Sequence, residues 1–208
     1  MYLMPLGGSI TQGVGSSDLN GYRKHLFEMI QSCSCDIRMV GSRKTGSMEG
    51  NEHEGWRGFR LDEIERKAKK SVPKFKPDIF TVNAGSNDCI QKFEIEAFGK
   101  RMGAMLEYLW RSSPGSTVIL STLLINADQE TNSQVLRVND QIRALVEQQT
   151  AAQSRIVLAD MYTNKGLRLE DLVDGTHPGD AGYRKMAEIW LGSIQEAAVK
   201  NFLKKREN

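Results

Sequence analysis

Two short stretches of this chain carry residue types that could together perform acyl transfer. Ser9 lies in the glycine-rich stretch MPLGGSITQG, which continues an apolar run beginning at Tyr2. His177 lies in DGTHPG, three residues after Asp174. A free serine hydroxyl is a weak nucleophile at neutral pH and needs a neighbouring base. We therefore take His177 as the candidate base for Ser9, with Asp174 as the carboxylate that orients its ring; in a helical turn, Asp174 and His177 would share one face.

The glycine-rich stretch also fits two alternatives, a phosphate-binding loop and a simple tight turn. Gly8 and Gly13 match the two glycines of G-x-x-x-x-G-K-[ST], but Val14 and Gly15 follow where the pattern needs a lysine and a hydroxyl residue. The dinucleotide pattern fails as well, because its third glycine is absent. Phosphate binding is therefore disfavoured. The D-x-x-H pair remains compatible with a plain turn or a helix cap.

Two further stretches offer hydrogen-bond donors for the charge that develops on a reacting carbonyl oxygen. Asn87 in NAGSND could present its side-chain amide, and Gly41 in VGSRKTGS could expose a backbone N–H. With the N–H of Ser9, these groups would form an oxyanion hole. Separately, Asn87 and Asp88 are a common turn pair and Gly41 is a common strand end, so the prediction depends on all the stretches meeting at one place.

The elements that must position these residues are predicted by apolar periodicity. Apolar, β-branched runs alternate with amphipathic stretches, and no low-complexity linker or internal repeat interrupts them, which predicts one α/β domain over residues 1–208. Strands are expected at 2–6, 36–40, 78–83, 117–123 and 155–159. They should form a parallel sheet of about five strands, with the Met and aromatic positions of the helices in the core. Ligands bind such sheets beyond the carboxyl ends of the strands, where all the candidate residues would lie.

Composition excludes several other classes of protein. The chain has 208 residues, 39% hydrophobic and 26% charged, and a net charge of +2, which is too small to indicate nucleic acid or an anionic membrane as a partner. No apolar run approaches the ~20 residues of a membrane span, and no signal peptide is visible. Cys33, Cys35 and Cys89 lack the spacing of a metal site. His53 and Glu54 have no third ligand nearby, so no metal or cofactor is expected and a hydrogen-bonded loop at the pocket rim is the expected role.

The candidate residues, in this order, resemble the SGNH (or GDSL) hydrolase superfamily, whose four sequence blocks carry Ser, Gly, Asn and His. The matching positions are Ser9, Gly41, Asn87 and His177. A narrower similarity, in MPLGGSITQGVG, GYRKHL, MVGSRKTG and HEGWRG, is to the family-three carbohydrate esterases, many of which are acetylxylan esterases. The resemblance implies a three-layer α/β/α sandwich with a five-stranded parallel sheet, a flavodoxin-like architecture.

The resemblance also implies an activity. It indicates a secreted, monomeric serine esterase that removes acetyl groups from acetylated carbohydrate, acetylxylan above all, through an acetyl-enzyme. The alternatives are a lipid esterase or thioesterase on the same scaffold, and a weakened or inactive glycan-binding relative. The last arises because Gly8 stands where the family usually has Asp, whose side chain can brace the nucleophile loop. Trp56 is interpreted either as core or as a sugar platform.

Overall fold

The computed structural model describes residues 1–33, 36–163 and 165–203, so Cys35 lies outside the described residues. The strands are β1 (Tyr2–Gly7), β2 (Arg38–Met39), β3 (Arg43–Lys44), β4 (Glu52–Gly55), β5 (Ile79–Asn83), β6 (Thr117–Ser121) and β7 (Ile156–Ala159). The helices are α1 (Ser9–Gln12), α2 (Tyr22–Ser32), α3 (Leu61–Phe75), α4 (Ser86–Gln91), α5 (Phe98–Ser112), α6 (Gln129–Ala151) and α7 (Asp180–Val199). Among the helices of these described ranges, none is long and apolar enough to cross a membrane.

The five predicted strands are present and pair in parallel in the order β2, β1, β5, β6, β7. The predicted α/β fold class is therefore confirmed. Two short strands were not predicted: β4 pairs in parallel with β1, and β3 pairs antiparallel with β4. β2 and β4 share one edge of β1, β2 pairing with Tyr2 and Leu3 and β4 with Leu6 and Gly7. The neighbour of β1 at its carboxyl end is consequently β4 rather than β2.

Helices cover both faces of the sheet and bury two apolar clusters. Residues of α3, α5 and α6 pack with Met4 and Phe80 on one face, while residues of α2 and α7 pack with Leu3 and Ile79 on the other. Because both faces of the central strands are covered, these strands are continuous apolar runs rather than alternating ones. Trp190, on α7, is fully buried, which agrees with the core role predicted for Met and aromatic positions.

Candidate active site

Ser9 lies at the first position of α1, directly beyond the carboxyl end of β1. Only Gly8 separates it from the strand, and its side chain is almost buried, with 8% exposure. The preceding Gly7 has no room for a side chain, because an added Cβ would lie 2.0 Å from the Asn83 carbonyl oxygen. At the other end of α1, Gly13 adopts φ +97°, a left-handed conformation that glycine tolerates best. The glycines of this stretch thus make the sharp strand-to-helix turn that presents Ser9.

The structure brings Ser9, His177 and Asp174 together in one hydrogen-bonded chain. Nε2 of His177 lies 2.8 Å from Oγ of Ser9, and Nδ1 of His177 lies 2.7 Å from Oδ2 of Asp174. The Asp174–His177 segment is not helical, contrary to the helical turn considered from the sequence. Instead, Oδ1 of Asp174 accepts hydrogen bonds from the N–H groups of Thr176 and His177, at 3.0 and 2.8 Å. This Asx-type turn holds the carboxylate against the imidazole.

The loop that carries His177 is fixed by contacts on two sides. Leu172 and Pro178 form an isolated antiparallel bridge around it. On the other side, Nδ2 of Asn126 donates to Oγ1 of Thr176 at 3.0 Å. Gly15 approaches so closely that an added Cβ would lie 2.9 Å from Cβ of His177, and its φ of +97° also favours glycine. The His177 loop is therefore packed directly against the loop that follows the α1 helix of Ser9.

The Asp174 carboxyl is held in its ionised form. Its partial desolvation alone would raise its pKa, but the hydrogen bonds from the N–H and ring of His177 and from the N–H of Thr176 outweigh that effect and lower the pKa. An ionised carboxylate at Nδ1 keeps a proton on that nitrogen, so Nε2 is left as the basic nitrogen facing Ser9. The arrangement can thus remove a proton from the Ser9 hydroxyl.

Asn87 lies beside Ser9, in the first turn of α4. One N–H of its side-chain amide donates to the Phe59 carbonyl oxygen at 3.0 Å, and Nδ2 would lie 3.5 Å from a Cβ added at Gly8. The second N–H of that amide remains available for a ligand. Ser9 and Asn87 border a small pocket with a volume of about 10 Å³, lined also by Gly8, Ile10, Phe59, Asn83, Ala84, Gly85 and Ser86. Three larger grooves among the described residues, of about 590 Å³ between α5 and α6, about 910 Å³ beside α7 and about 600 Å³ near the start of α5, contain none of the candidate residues.

The structure does not bring Gly41 into this pocket. Gly41 follows β2 and lies against β4, where an added Cβ would be 2.3 Å from the His53 carbonyl carbon and oxygen. The reason is the shared edge of β1, since β4 takes the place beside Gly7 that a donor after β2 would need.

Gly58, in the loop after β4, directly precedes the pocket-lining Phe59 and is a candidate for the backbone donor that was expected from Gly41. Trp56 of this loop donates its N–H to the Gly7 carbonyl oxygen at 2.9 Å, and Phe59 lines the pocket. Gly58 has φ +79° and open space where a Cβ would stand, and its N–H has no acceptor among the described residues. Gly58 was not predicted from the sequence, although the stretch HEGWRG is the signal that could have found it.

His53 and Glu54 form part of β4 and are fully buried. The Glu54 carboxylate accepts hydrogen bonds from the N–H of Ser42 at 2.6 Å and from Nε1 of Trp56 at 3.0 Å. Nδ1 of His53 accepts from the N–H of Gly55 at 2.9 Å. Burial, with smaller contributions from two nearby arginines, lowers the pKa of His53 to about 3, so its ring is neutral. These residues shape the rim of the site from within a strand rather than from a loop.

Trp56 is not an open platform for a sugar ring. The Lys67 ammonium lies 4.0 Å and the Arg43 guanidinium carbon 4.5 Å from the centre of its ring, and the Phe59 ring stacks on it at 5.5 Å. Cations over an aromatic ring are attracted by its quadrupole and occupy the surface that a sugar would use. Trp56 therefore organises the rim instead of offering a free face.

Arg23, on α2, connects this rim to the helix of Ser9. Its side chain is fully buried, and its guanidinium donates to five carbonyl oxygens at 2.9–3.1 Å. Two acceptors, on Thr11 and Gln12, belong to α1. Two others, on Thr45 and Asn51, belong to the connection between β3 and β4. Burial lowers the pKa of Arg23 to about 10, which still leaves it charged at neutral pH.

Residues 6–185 match the GDSL-like lipase/acylhydrolase family, and the chain belongs to that family. Its class is thus that of the GDSL-like lipases and acylhydrolases. A multidomain esterase of Ruminococcus flavefaciens is 24% identical over 222 residues; the match covers 93% of this chain but only 28% of that protein. Among solved structures, a family 3 carbohydrate esterase of Clostridium thermocellum superposes with a TM-score of 0.86 at 22% identity, covering 98% of this chain and 99% of the other. A carbohydrate esterase family 3 protein from Talaromyces cellulolyticus gives a TM-score of 0.80 at 25% identity, covering 97% and 98%.

Proposed function

We propose that this chain is a serine esterase that removes acetyl groups from acetylated carbohydrate, with acetylxylan as the expected substrate. The observation that carries the proposal is the hydrogen-bonded chain from Ser9 through His177 to Asp174 beside a pocket of about 10 Å³. The carbohydrate esterases among the similar structures support a sugar as the alcohol part of the ester. Because acetylated polysaccharides lie outside cells, the proposal includes secretion, with the protein acting as a monomer.

In the proposed reaction, Nε2 of His177 takes the proton of Ser9 Oγ as that oxygen attacks the acetyl carbonyl carbon. The resulting tetrahedral intermediate carries its negative charge on the former carbonyl oxygen. Collapse of this intermediate breaks the bond to the sugar oxygen, which receives the proton from His177, and leaves acetyl on Ser9. A water molecule then loses a proton to His177 and attacks the acetyl-enzyme, and the proton returns to Ser9 as acetate leaves.

The oxyanion in this scheme is stabilised by three donors. They are the N–H of Ser9, the second side-chain N–H of Asn87 and a backbone N–H from the loop after β4. We assign the third donor to Gly58 instead of Gly41, because Gly58 directly precedes Phe59 of the pocket and its N–H has no acceptor among the described residues, whereas Gly41 packs against His53 of β4. Removing one such donor typically lowers the rate by ~10²–10³.

The size of the pocket supports a short acyl group. A volume of about 10 Å³ is close to what one water molecule needs, which favours a small acyl group over a long chain. This argues against the alternative of a lipid esterase. The intact hydrogen bonds among Ser9, His177 and Asp174 argue against an inactive glycan-binding relative.

The acyl-chain preference provides the test of the proposal. We expect kcat/KM for p-nitrophenyl acetate to exceed that for the butyrate ester at least about tenfold, since two methylenes that the pocket excludes cost more than ~1.4 kcal/mol. Acetylated xylan should release acetate, measured enzymatically. Equal rates on acetate and butyrate would contradict the short-acyl assignment. Activity on small esters without acetate release from xylan would contradict xylan as the substrate and leave the esterase mechanism in place.

Replacement of Gly8 by the aspartate usual in the resembling family gives a second prediction. Gly8 is the residue before α1, with φ −91°, and a Cβ there would make ordinary contacts, 3.5 Å from Nδ2 of Asn87 and 3.9 Å from the Trp56 carbonyl oxygen. Gly8→Asp should stabilise the fold by only a few tenths of a kcal/mol, because Gly8 is the N-cap of α1, where aspartate is slightly better than glycine. Its carboxylate should also restrain the Asn87 side chain. Because Asn87 is one of the proposed oxyanion donors, we expect kcat for p-nitrophenyl acetate to rise about threefold.

The control for this prediction is Gly8→Ala, which adds the Cβ without the carboxylate. Because alanine is a poorer N-cap than glycine or aspartate, the Tm of Gly8→Ala should not exceed that of the wild type, and only Gly8→Asp should raise kcat. An equal kcat for the two variants would mean that the hydrogen bond to Phe59 already positions Asn87.

A further inference from the structure

Three cations surround the loop after β4 without a carboxylate partner. Arg43, Arg57 and Lys67, here called the cationic rim, form no ion pair within the described part of the chain. Cations on the same or neighbouring elements are paired instead, Lys44 with Glu52 at 3.1 Å, Arg60 with Asp62 at 3.2 Å and Lys69 with Glu65 at 2.8 Å. Lys70 and Lys74 of α3 and Lys100 of α5 also form no ion pair among the described residues, so what distinguishes the cationic rim is its position around Trp56, beside the loop that lines the pocket.

The cationic rim is tied to the helix that carries Ser9. Oε1 of Gln12, the last residue of α1, accepts hydrogen bonds from a guanidinium nitrogen of Arg43 at 3.3 Å and from the backbone N–H of Arg57 at 3.2 Å. Arg43 also donates to the Gly55 carbonyl oxygen at 2.8 Å. Through Gln12, Arg43 and the backbone of Arg57 are therefore attached to the helix that begins at Ser9, and the Arg57 side chain is exposed to solvent.

The Glu54 carboxylate forms no ion pair with this rim among the described residues. Glu54 is fully buried, and its two oxygens are taken by the N–H of Ser42 and by Nε1 of Trp56. Arg43 and Lys67 lie over the Trp56 ring, and no carboxylate among the described residues pairs with either of them. A planar guanidinium such as that of Arg57 pairs readily with a carboxylate through two parallel hydrogen bonds.

We infer that the cationic rim binds a carboxylate on the glycan chain whose acetyl ester occupies the site of Ser9. The substrate class is therefore an acidic acetylated polysaccharide, in which a uronic acid substituent lies near the acetylated sugar. This inference rests on the proposed function and narrows its substrate class from acetylated carbohydrate to acidic acetylated polysaccharide. A surface charge contact of this kind lowers KM rather than raising kcat, because the carboxylate is distant from the bond that breaks and binds equally in ground and transition states.

The test compares acetylated xylo-oligosaccharides that carry a glucuronic acid substituent with the same material after enzymatic removal of that substituent. We expect kcat/KM at low salt to be about threefold to tenfold higher for the acidic form than for the neutral form. The difference should come from a lower KM, with kcat unchanged. The ratio should fall towards one at ~1 M salt, where the Debye length is about 3 Å. Arg57→Gln should lower the ratio to near one at low salt.

Lys100→Gln is the control, since Lys100 is exposed on α5 and its change alters the net charge by the same amount. This variant should keep the wild-type ratio. A wild-type ratio near one, or an equal loss in Lys100→Gln, would overturn the cationic rim as a carboxylate site while leaving the esterase assignment intact. If p-nitrophenyl acetate and both oligosaccharides stay unhydrolysed, the proposed function fails and this inference falls with it.

Discussion

Ser9→Ala is expected to lower kcat for p-nitrophenyl acetate by about 10⁴–10⁶, the range seen when a catalytic serine is removed from a hydrolase of this kind. The reason is that His177 then has no hydroxyl to deprotonate, while Asn87 and the backbone donors still bind the ester. The fold should persist, because Ser9 contributes one hydrogen bond to His177 and alanine fits the helix. Activity is measured by p-nitrophenol release and stability by thermal denaturation.

Ser16→Ala is the matched control for Ser9→Ala, since both serines are nearly buried and both lie in the region after β1. Oγ of Ser16 donates to the Gly13 carbonyl oxygen at 2.8 Å and accepts from the N–H of Gly21 at 2.9 Å. Its loss should cost about 1–2 kcal/mol of stability but far less activity than the loss of Ser9. Ser9→Ala should thus lose activity and keep its stability, whereas Ser16→Ala should lose stability and keep most of its activity.

A covalent measurement distinguishes nucleophilic attack by Ser9 from direct attack by a water molecule that His177 activates. Rapid quenching of the wild-type reaction should leave an acetylated peptide that contains Ser9, and Ser9→Ala should leave none. If Ser9→Ala keeps more than about a hundredth of wild-type kcat, well above the activity expected after loss of a nucleophile, the assignment of Ser9 is wrong.

The meeting of Ser9 with His177 could be predicted from sequence because it depends on a general property of parallel sheets. The two residues are 168 positions apart, but each follows the carboxyl end of a predicted strand, and those ends lie at one edge of the sheet. Apolar runs long enough to be recognised as strands fix that edge. The roles of Ser9, Asp174 and His177 in catalysis remain predictions for the experiments above to test.

The placement of Gly41 could not be predicted in the same way, because it depends on β4. This strand has the sequence EHEG, whose His53 and Glu54 are fully buried although polar. Neither hydrophobic alternation nor β-propensity identifies such a segment as a strand. Because β4 was not predicted, the second backbone donor was assigned to Gly41 in the loop after β2 and not to Gly58.

The burial of Arg23 could not be predicted from the sequence, for a related reason. An arginine on an amphipathic helix is normally assigned to the solvent face, and nothing in the spacing of α2 distinguishes Arg23 from its exposed neighbours. Its burial follows from five carbonyl oxygens contributed by separate parts of the chain. Such a convergence is a property of tertiary structure, and local sequence patterns do not contain it.

Arg23→Met is therefore expected to have the largest effect on stability. Methionine retains much of the apolar stem but leaves five carbonyl oxygens without their donor, and each buried unsatisfied group costs about 1–3 kcal/mol, partly recovered by water. We expect a loss of about 3–5 kcal/mol, seen as a fall in Tm of about 8–16 °C. The Tm of Arg23→Lys should lie between those of the wild type and Arg23→Met, because an ammonium offers three donors but lacks the planar guanidinium of arginine.

Arg23→Met should also lower kcat for p-nitrophenyl acetate at least about tenfold at a temperature well below its Tm, since a small displacement of a reacting group is costly in rate. The carbonyl oxygens of Thr11 and Gln12 end the short helix that starts at Ser9, so their release loosens the nucleophile. Lys24→Met is the control: Lys24 is partly exposed and pairs with Asp18 at 3.2 Å, a contact worth at most about 1 kcal/mol. A fall in Tm with unchanged kcat would limit Arg23 to stability, whereas a Tm equal to that of Lys24→Met would show that its five hydrogen bonds contribute little in solution.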